Sequence, residues 1–365
     1  MKKVLIFAPT APSSGITQYI LNFLSYADLT SFQFDILSFH NPRLKSWAEA
    51  HGSKYFDLTV SLYKHPLQYK RFLMQVFSGG YSTVHFQLSA VSTLRPLRYA
   101  KKSGIKNIIL HSHNSKVDVP SALRKRVFTG VHYLLKGKAN RLANVYCTCS
   151  PAAAAWMFTK KNQPKVLTLN NAVDLKKFAY NENSRTELRR QHNLLTPYVI
   201  GNIARFSAAK NQAFLLRAFA LLKQKRQDCT LLLIGEGDLL AQNKQLANEL
   251  GLGSSVVFLP FQTDIYRYYS AMDLFVLPSL FEGLPITLVE AQANGLPALV
   301  SSAVNPAANI TGRLEFFNLK GGPQLLAKEL DRAVSAARRY NETERLIKAG
   351  FSLKEQAELV QNLYK

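Results

Sequence analysis

Leu280-Phe281-Glu282-Gly283-Leu284-Pro285-Ile286-Thr287-Leu288-Val289-Glu290-Ala291 joins a polar loop to the start of a helix and sets two carboxylates eight residues apart. The run leading into it, Asp273 to Leu277, reads as a buried strand ended by Pro278. Gly283 and Pro285 then shape a loop before a helix that begins near Ile286. The loop therefore sits at the carboxyl end of a strand. Open α/β sheets collect ligands there, and helix N-terminal amides meet anionic or hydroxyl-rich groups. Glu282 falls in the loop and Glu290 about one turn inside the helix. An ionised carboxylate only accepts hydrogen bonds, so each can take two vicinal hydroxyls of a sugar. Taken alone, the pair also reads as solvated charges at a helix end.

A second junction lies upstream. Tyr198 to Ile203 reads as a strand, followed by Ala204-Arg205-Phe206-Ser207-Ala208-Ala209-Lys210-Asn211 and an apolar-periodic helix from Phe214 to Leu222. Arg205 offers a planar fork of donors and Lys210 a point charge. That pairing suits a diphosphate beside helix N-terminal amides.

Together the two junctions resemble the nucleotide-sugar site of the family-four retaining glycosyltransferases of the GT-B fold. The likeness covers nearly the whole chain and points to the bacterial exopolysaccharide and capsule transferases of the EpsF type. Its further carriers are Ile109-Leu110-His111-Ser112-His113-Asn114-Ser115, Cys149-Ser150-Pro151 with the alanines that follow, Asn170-Asn171-Ala172-Val173-Asp174, Leu232-Leu233-Ile234-Gly235-Glu236-Gly237 and Glu290-Ala291-Gln292-Ala293-Asn294-Gly295-Leu296-Pro297. The resemblance implies two Rossmann-like doubly wound α/β domains facing a central cleft. Residues 1–175 would be the acceptor-binding domain, 176–345 the nucleotide-sugar-binding domain and 346–365 a helix crossing back to the first. It also implies that Arg205 and Lys210 hold the donor diphosphate, that Glu290 binds the nucleotide ribose and that Glu282 lies beside the donor sugar. The chain departs from the family's pattern at Ser13-Ser14-Gly15, where two glycines are common, and at Ala204, where a glycine often precedes the arginine. Gly15 still permits close backbone approach to a phosphate.

Length and patterning agree. A chain of 365 residues exceeds the size at which one core usually stops growing, and 47% hydrophobic content supports real cores. Alternating β and α patterns predict parallel sheets with crossover helices. Expected strands are Lys3–Ala8, Phe34–Phe39, Thr83–Gln87, Lys106–Leu110, Val145–Thr148 and Val166–Leu169, then Tyr198–Ile203, Thr230–Ile234, Val256–Leu259, Leu274–Leu277 and Ala298–Val300. The polar stretch from about Asp174 to Thr196 reads as the hinge, and Leu353 to Tyr364 as a final helix.

The apolar run after Met1-Lys2-Lys3 is too short for a signal peptide, and no segment reaches the roughly 18 apolar residues of a spanning helix. A cytoplasmic protein is expected. Cys147, Cys149 and Cys229 show no zinc-like pairing and read as structural filler. No Asp-x-Asp metal motif appears, so the expectation is metal independence with no cofactor.

Charge is uneven. The chain carries +23, with 25 Lys/Arg against 6 Asp/Glu in residues 1–180 (+19) and 21 against 17 in residues 181–365 (+4). Such a cationic half implies a polyanionic partner. Residues 121–142 read as a basic amphipathic helix, with Leu123, Val127, Phe128, Val131, Leu134 and Leu135 at helical spacing among Arg124, Lys125, Arg126, Lys136, Lys138 and Arg141. Arg124, Lys125, Phe128 and Lys136 are its candidate contacts to an anionic membrane surface. A second such stretch runs from Tyr63 to Phe77. Packing on a sheet with solvated charges is the alternative for both. No nucleic-acid reader motif accompanies the charge.

His111 and His113 end a strand and are candidate catalytic groups; spacing alone does not choose between them, and His85 is a weaker candidate on the neighbouring strand. Gly235-Glu236-Gly237 reads as a tight turn near the nucleotide. The resulting expectation is retaining transfer of a hexose from a nucleotide-diphosphate sugar, with uridine favoured by the family, to a polyprenyl-diphosphate-linked saccharide. The work would take place at the inner face of the plasma membrane. Glu282, His113 and His111 are the catalytic candidates, and Gly15, Arg205, Lys210, Glu282, Gly283, Leu284 and Glu290 the donor-binding ones. The alternatives are a sugar-nucleotide epimerase on the same fold and a non-catalytic subunit that stabilises a partner transferase.

Overall fold

The computed structural model describes residues 1–12, 14–114, 122–282 and 284–365, with residue 122 by its backbone alone. The chain forms two compact units, residues 1–171 with 353–365, and residues 172–352. Strands of the first are β1 (Lys2–Ala8), β2 (Phe32–Ser38), β3 (Tyr55–Asp57), β4 (Thr83–Leu88), β5 (Asn107–Ser112), β6 (Val145–Thr148) and β7 (Leu167–Thr168). They form one parallel sheet in the order β3-β2-β1-β4-β5-β6-β7. The second unit has β8 (Tyr198–Ile203), β9 (Cys229–Ile234), β10 (Val256–Leu259), β11 (Leu274–Leu277), β12 (Ala298–Ser301) and β13 (Leu314–Phe317). These pair in parallel in the order β10-β9-β8-β11-β12-β13.

Helices cover both faces of each sheet, so central strands are apolar on both sides, as parallel strands require. Along β1, Leu5 and Phe7 enter one core while Val4, Ile6 and Ala8 enter the other. In β8, Ile200 faces one core and Val199 and Ile203 the opposite one. Strand order reverses between β1 and β4 in the first unit and between β8 and β11 in the second. A crevice opens outside the carboxyl ends at such a reversal, which fixes where each unit can bind a ligand.

The final helix, Leu353–Asn362, belongs to the first unit. Ala357, Val360 and Tyr364 pack into the core of β1 and β2, and the Tyr364 hydroxyl meets His85 Nδ1 at 2.7 Å.

Three details differ from the sequence reading. β3 and β13 were not expected, because three- and four-residue edge strands carry too little alternation to register. The segment 174–196 is not a loose hinge: it forms Leu175–Phe178 and Glu182–Gln191, buries Leu188 and belongs to the second unit. Arg185 and Arg189 from it both pair with Asp273, which explains the polar composition. The unit boundaries fall at 171/172 and 352/353, against the expected 175/176 and 345/346.

Candidate functional site

In the second unit the loops after β8 and β11 lie side by side, as their strand pairing demands. Leu280 N donates to Ala209 O at 2.8 Å and Asn211 Nδ2 donates to Pro278 O at 3.2 Å, so the two loops are latched together. Lys210 is ion-paired with Glu282 Oε1, each side chain about one-fifth exposed at 24% and 18%. Ser279 Oγ donates to the same oxygen at 3.3 Å. Glu282 is further fixed by a bridge to Val304, with Asn305 N donating to Glu282 O at 3.1 Å. Among the described residues, neither the helix Gln212–Lys223 nor the helix Ile286–Ala293 has its N-terminus capped by a side chain. Their first amides remain available at the reversal point.

Arg205 stands largely exposed at the end of β8, with Asp238 3.4 Å away. Its loop owes its course to two glycines. A Cβ at Gly235 would come 2.1 Å from Ala204 O, and one at Gly237 2.3 Å from Phe206 O. Both glycines have positive φ, so the Gly235-Glu236-Gly237 turn exists to let the β9 loop touch the arginine loop.

Glu290 points inward from its helix, and Tyr269 donates its hydroxyl to Glu290 Oε2 at 2.5 Å. Burial pushes the carboxyl up to about 7, against the Tyr269 hydrogen bond, which favours the ionised form. Neither glutamate is a solvated helix-end charge. Leu284 is partly buried against the surrounding core, and Gly283 lies outside the described residues. Among the described residues, no group of three or more His, Cys, Asp or Glu is disposed to hold a metal.

In the first unit, Gly15 opens the helix Gly15–Leu24 and Ser14 caps it, accepting from Thr17 N at 3.1 Å. A Cβ at Gly15 would meet nothing within 4 Å. Ser13 lies outside the described residues. His85, His111 and His113 stack in a row, with ring centroids 5.4 and 4.2 Å apart. His111 is fully buried, with both ring nitrogens unpartnered, whereas His113 lies past β5 and is only half-buried. The structure thus separates the pair: His113 can meet a ligand, and His111 stands behind it. His113 Nε2 lies 2.5 Å from Gln87 Oε1. An amide oxygen only accepts, so His113 carries its proton on Nε2. Burial holds its pKa down at about 3, so the ring is neutral.

The helix Ala122–Leu142 has two apolar faces. Phe128, Leu135, Ala139 and Leu142 pack on the core. Leu123, Val127 and Leu134 form an exposed stripe, with Arg124 and Lys125 exposed beside it. Two expected membrane contacts are therefore corrected. Phe128 faces the core, and Lys136 leans over the Tyr133 ring and donates to Trp156 O at 3.3 Å. Helical spacing alone could not say which of two stripes points inward.

Tyr269, Asp238 and Gln87 were not singled out from sequence. They act on site residues from other strands or helices, and nothing in their local pattern marks them.

Residues 184–352 match the family model of the glycosyl transferases group 1. The chain resembles that family through this segment. It is a glycosyltransferase, and the matched segment contains both latched loops. EpsF of Bacillus subtilis (strain 168), which carries a glycosyltransferase name, is 28% identical to this transferase over 375 aligned residues, spanning 100% of this chain and 96% of that one. The Escherichia coli UDP-Gal:alpha-D-GlcNAc-diphosphoundecaprenol alpha-1,3-galactosyltransferase is 30% identical over 142 residues, 38% of this chain and 37% of its own. A crystal structure of Anabaena HepE in complex with UDP superposes on the transferase with a TM-score of 0.75 over 99% of each chain at 19% identity. That likeness shows the GT-B fold.

Proposed function

We propose that this glycosyltransferase moves a hexose from a UDP-sugar to a hydroxyl of a polyprenyl-diphosphate-linked saccharide, with retention at the anomeric carbon, in exopolysaccharide or capsule assembly. The observation that carries the reading is the Lys210–Glu282 ion pair at the β8/β11 reversal, flanked by the exposed Arg205 and the half-buried Glu290. Relatives whose names specify lipid-linked acceptors and UDP donors support the substrate classes.

As the bond from sugar to phosphate breaks, negative charge grows on the nucleotide diphosphate. Arg205, the uncapped helix amides and Lys210, once drawn away from Glu282, meet it. Side-chain cations can fill the role a divalent metal plays elsewhere, and the proposal includes metal independence. Donor binding draws Lys210 toward phosphate and releases Glu282 to accept from sugar hydroxyls. Glu290 accepts from the ribose hydroxyls, with the backbone at Gly283 and Leu284 beside the sugar. Gly15 supplies first-loop amides. Family likeness assigns His113 to the transferred sugar, and a neutral ring with a fixed tautomer suits hydrogen bonding there. The cationic residues 1–180, with the Leu123, Val127 and Leu134 stripe, suit attachment to the anionic inner face of the plasma membrane.

The test is incubation with a panel of nucleotide sugars and membrane-extracted lipid-linked saccharides in chelator, following nucleoside diphosphate release and lipid mass. A gain of one hexose, lost in Glu282→Ala and Arg205→Ala, is expected. No lipid product with any donor from folded protein would overturn the reading.

A further inference from the structure

A second ligand site lies within the first unit. At its own strand-order reversal, outside the ends of β1 and β4, there is a cavity of about 590 Å³. That volume falls in the range of ligand sites, about 300–1,000 Å³. Its walls are mainly apolar, including Phe7, Leu58, Leu62, Phe86 and Leu97, and among the described residues none that lines it is charged. The polar lining consists of Ser and Thr hydroxyls, the phenols of Tyr63 and Tyr69 and the single amide of Gln87. That amide's oxygen is occupied by His113. Carboxylates, which take vicinal sugar hydroxyls in pairs, do not line this chamber among the described residues, so its lining suits an apolar chain better than a saccharide.

The chamber continues into a recess of about 290 Å³ that shares Leu62, Tyr63, Ser92 and Thr93 with it and adds Arg95. Arg95 begins the basic helix Arg95–Lys102, which also carries Arg98, Lys101 and Lys102. Exposed rings of Phe39 and Tyr63 add an apolar rim. An uncharged apolar chamber opening past a cation, in the cationic half of the chain, matches an amphiphile with an apolar tail and an anionic head.

We propose that this cavity holds the proximal part of the acceptor's lipid chain, with Arg95 engaging its phosphate. The inference rests on the reading that the acceptor is lipid-linked. Gln87 joins the two functions. Its side chain lines the lipid chamber and its oxygen fixes His113, so the chamber wall and the histidine share one residue.

The test uses the full chain and a benzophenone-bearing farnesyl diphosphate, with cross-linked peptides mapped by mass. Expected are labels on residues 58–63 and 86–97, displaced by farnesyl diphosphate and not by inorganic diphosphate. Leu62→Glu places a charge in a half-buried wall and should cut labelling at least about tenfold. Arg95→Ala, at an exposed position, should weaken it several-fold without affecting folding. Both should bind UDP and melt as the wild type does. Labels confined to the helix Ala122–Leu142, equal displacement by inorganic diphosphate, or undiminished labelling in both variants would overturn the inference. If the cavity is labelled as expected while no lipid acceptor is glycosylated, the transferase reading fails and the lipid site stands. If lipid is glycosylated with the cavity unlabelled, the reverse holds.

Discussion

Lys210 is ion-paired with Glu282 Oε1, so the cation expected to meet the donor's phosphate is already occupied by the carboxylate expected to meet its sugar. The two charges neutralise each other in the free protein, and an incoming diphosphate must compete with Glu282 for the ammonium. Glu282→Gln removes the competitor. UDP should then bind about 3–10-fold tighter while turnover falls by about two orders of magnitude. Lys210→Ala should weaken UDP about 10–100-fold. Calorimetric titration of UDP alongside steady-state rates checks both. Weaker UDP binding in Glu282→Gln would mean that Glu282 orders the site rather than masking its cation.

Glu290 gives a pH signature. Burial raises its carboxyl from 4.5 to about 7, so the folded state prefers the protonated form. The stability this provides is fully present below about pH 4.5 and is lost as pH rises through about 7, in total on the order of 3 kcal/mol. Glu290→Gln removes the titration, so its stability relative to wild type should rise between pH 5 and 8 in denaturant titrations. UDP affinity should move the other way, since only the ionised carboxylate accepts from both ribose hydroxyls. The terminal phosphate of UDP also titrates near pH 6. The difference between wild type and Glu290→Gln, rather than either curve alone, is therefore the readout.

Two glycine substitutions should separate folding from binding. Gly235→Ala drives a Cβ to 2.1 Å from Ala204 O at a positive φ, and should cost about 3 kcal/mol or more. Gly15→Ala meets nothing within 4 Å in the free protein. Its melting curve should match wild type while UDP-sugar affinity falls, because the added methyl stands where the first-loop backbone approaches the diphosphate. Unchanged affinity would remove Gly15 from the donor site.

Much of this was legible because the decisive signals are local. Pro278, Gly283 and Pro285 punctuate one strand-loop-helix junction, and β8, β10 and β11 carry long enough apolar runs to be bounded as observed. What escaped was non-local. That Glu290 is half-buried and hydrogen-bonded follows from Tyr269, on a helix that begins at Ile265. His113 is separated from His111 only by where β5 stops, and the fate of Phe128 depends on which face of a two-striped helix meets the core. The segment 174–196 reads as a hinge because it is polar, and the partner of its arginines, Asp273, lies beyond three intervening strands in sequence.

The two stripes of the helix Ala122–Leu142 predict opposite consequences of substitution. Leu134→Asp or Val127→Asp, at 78% and 57% exposure, should leave stability within about 0.5 kcal/mol. Each should reduce sedimentation with anionic vesicles several-fold. Phe128→Ala should destabilise by about 2–4 kcal/mol, because it opens the core. Lys125→Ala should cost about 1 kcal/mol of vesicle binding. Equal vesicle binding by Leu134→Asp and wild type would remove the stripe from membrane attachment.

The histidine stack sets a pH dependence in the first unit opposite to that of Glu290 in the second. Burial lowers His85 and His113 from 6.5 to about 3, and holds His111 well below its usual value. A depressed folded value gives stability that is present above pH 6.5 and lost as pH falls, because the unfolded chain binds protons that the folded one refuses. His85 and His111, fully buried, contribute most. The His85 proton alone gives a slope of about 1.4 kcal/mol per pH unit between pH 6 and 4. Over pH 7 to 5 the Glu290 helix gains stability instead. Amide exchange, corrected for its intrinsic pH dependence, should therefore show β4 and β5 losing protection while Ile286–Ala293 gains it. His111→Leu, which removes two unpartnered ring nitrogens, should flatten the acid loss in the first unit and leave the second unchanged. A uniform change across both units would show that neither group sets the local stability assigned to it.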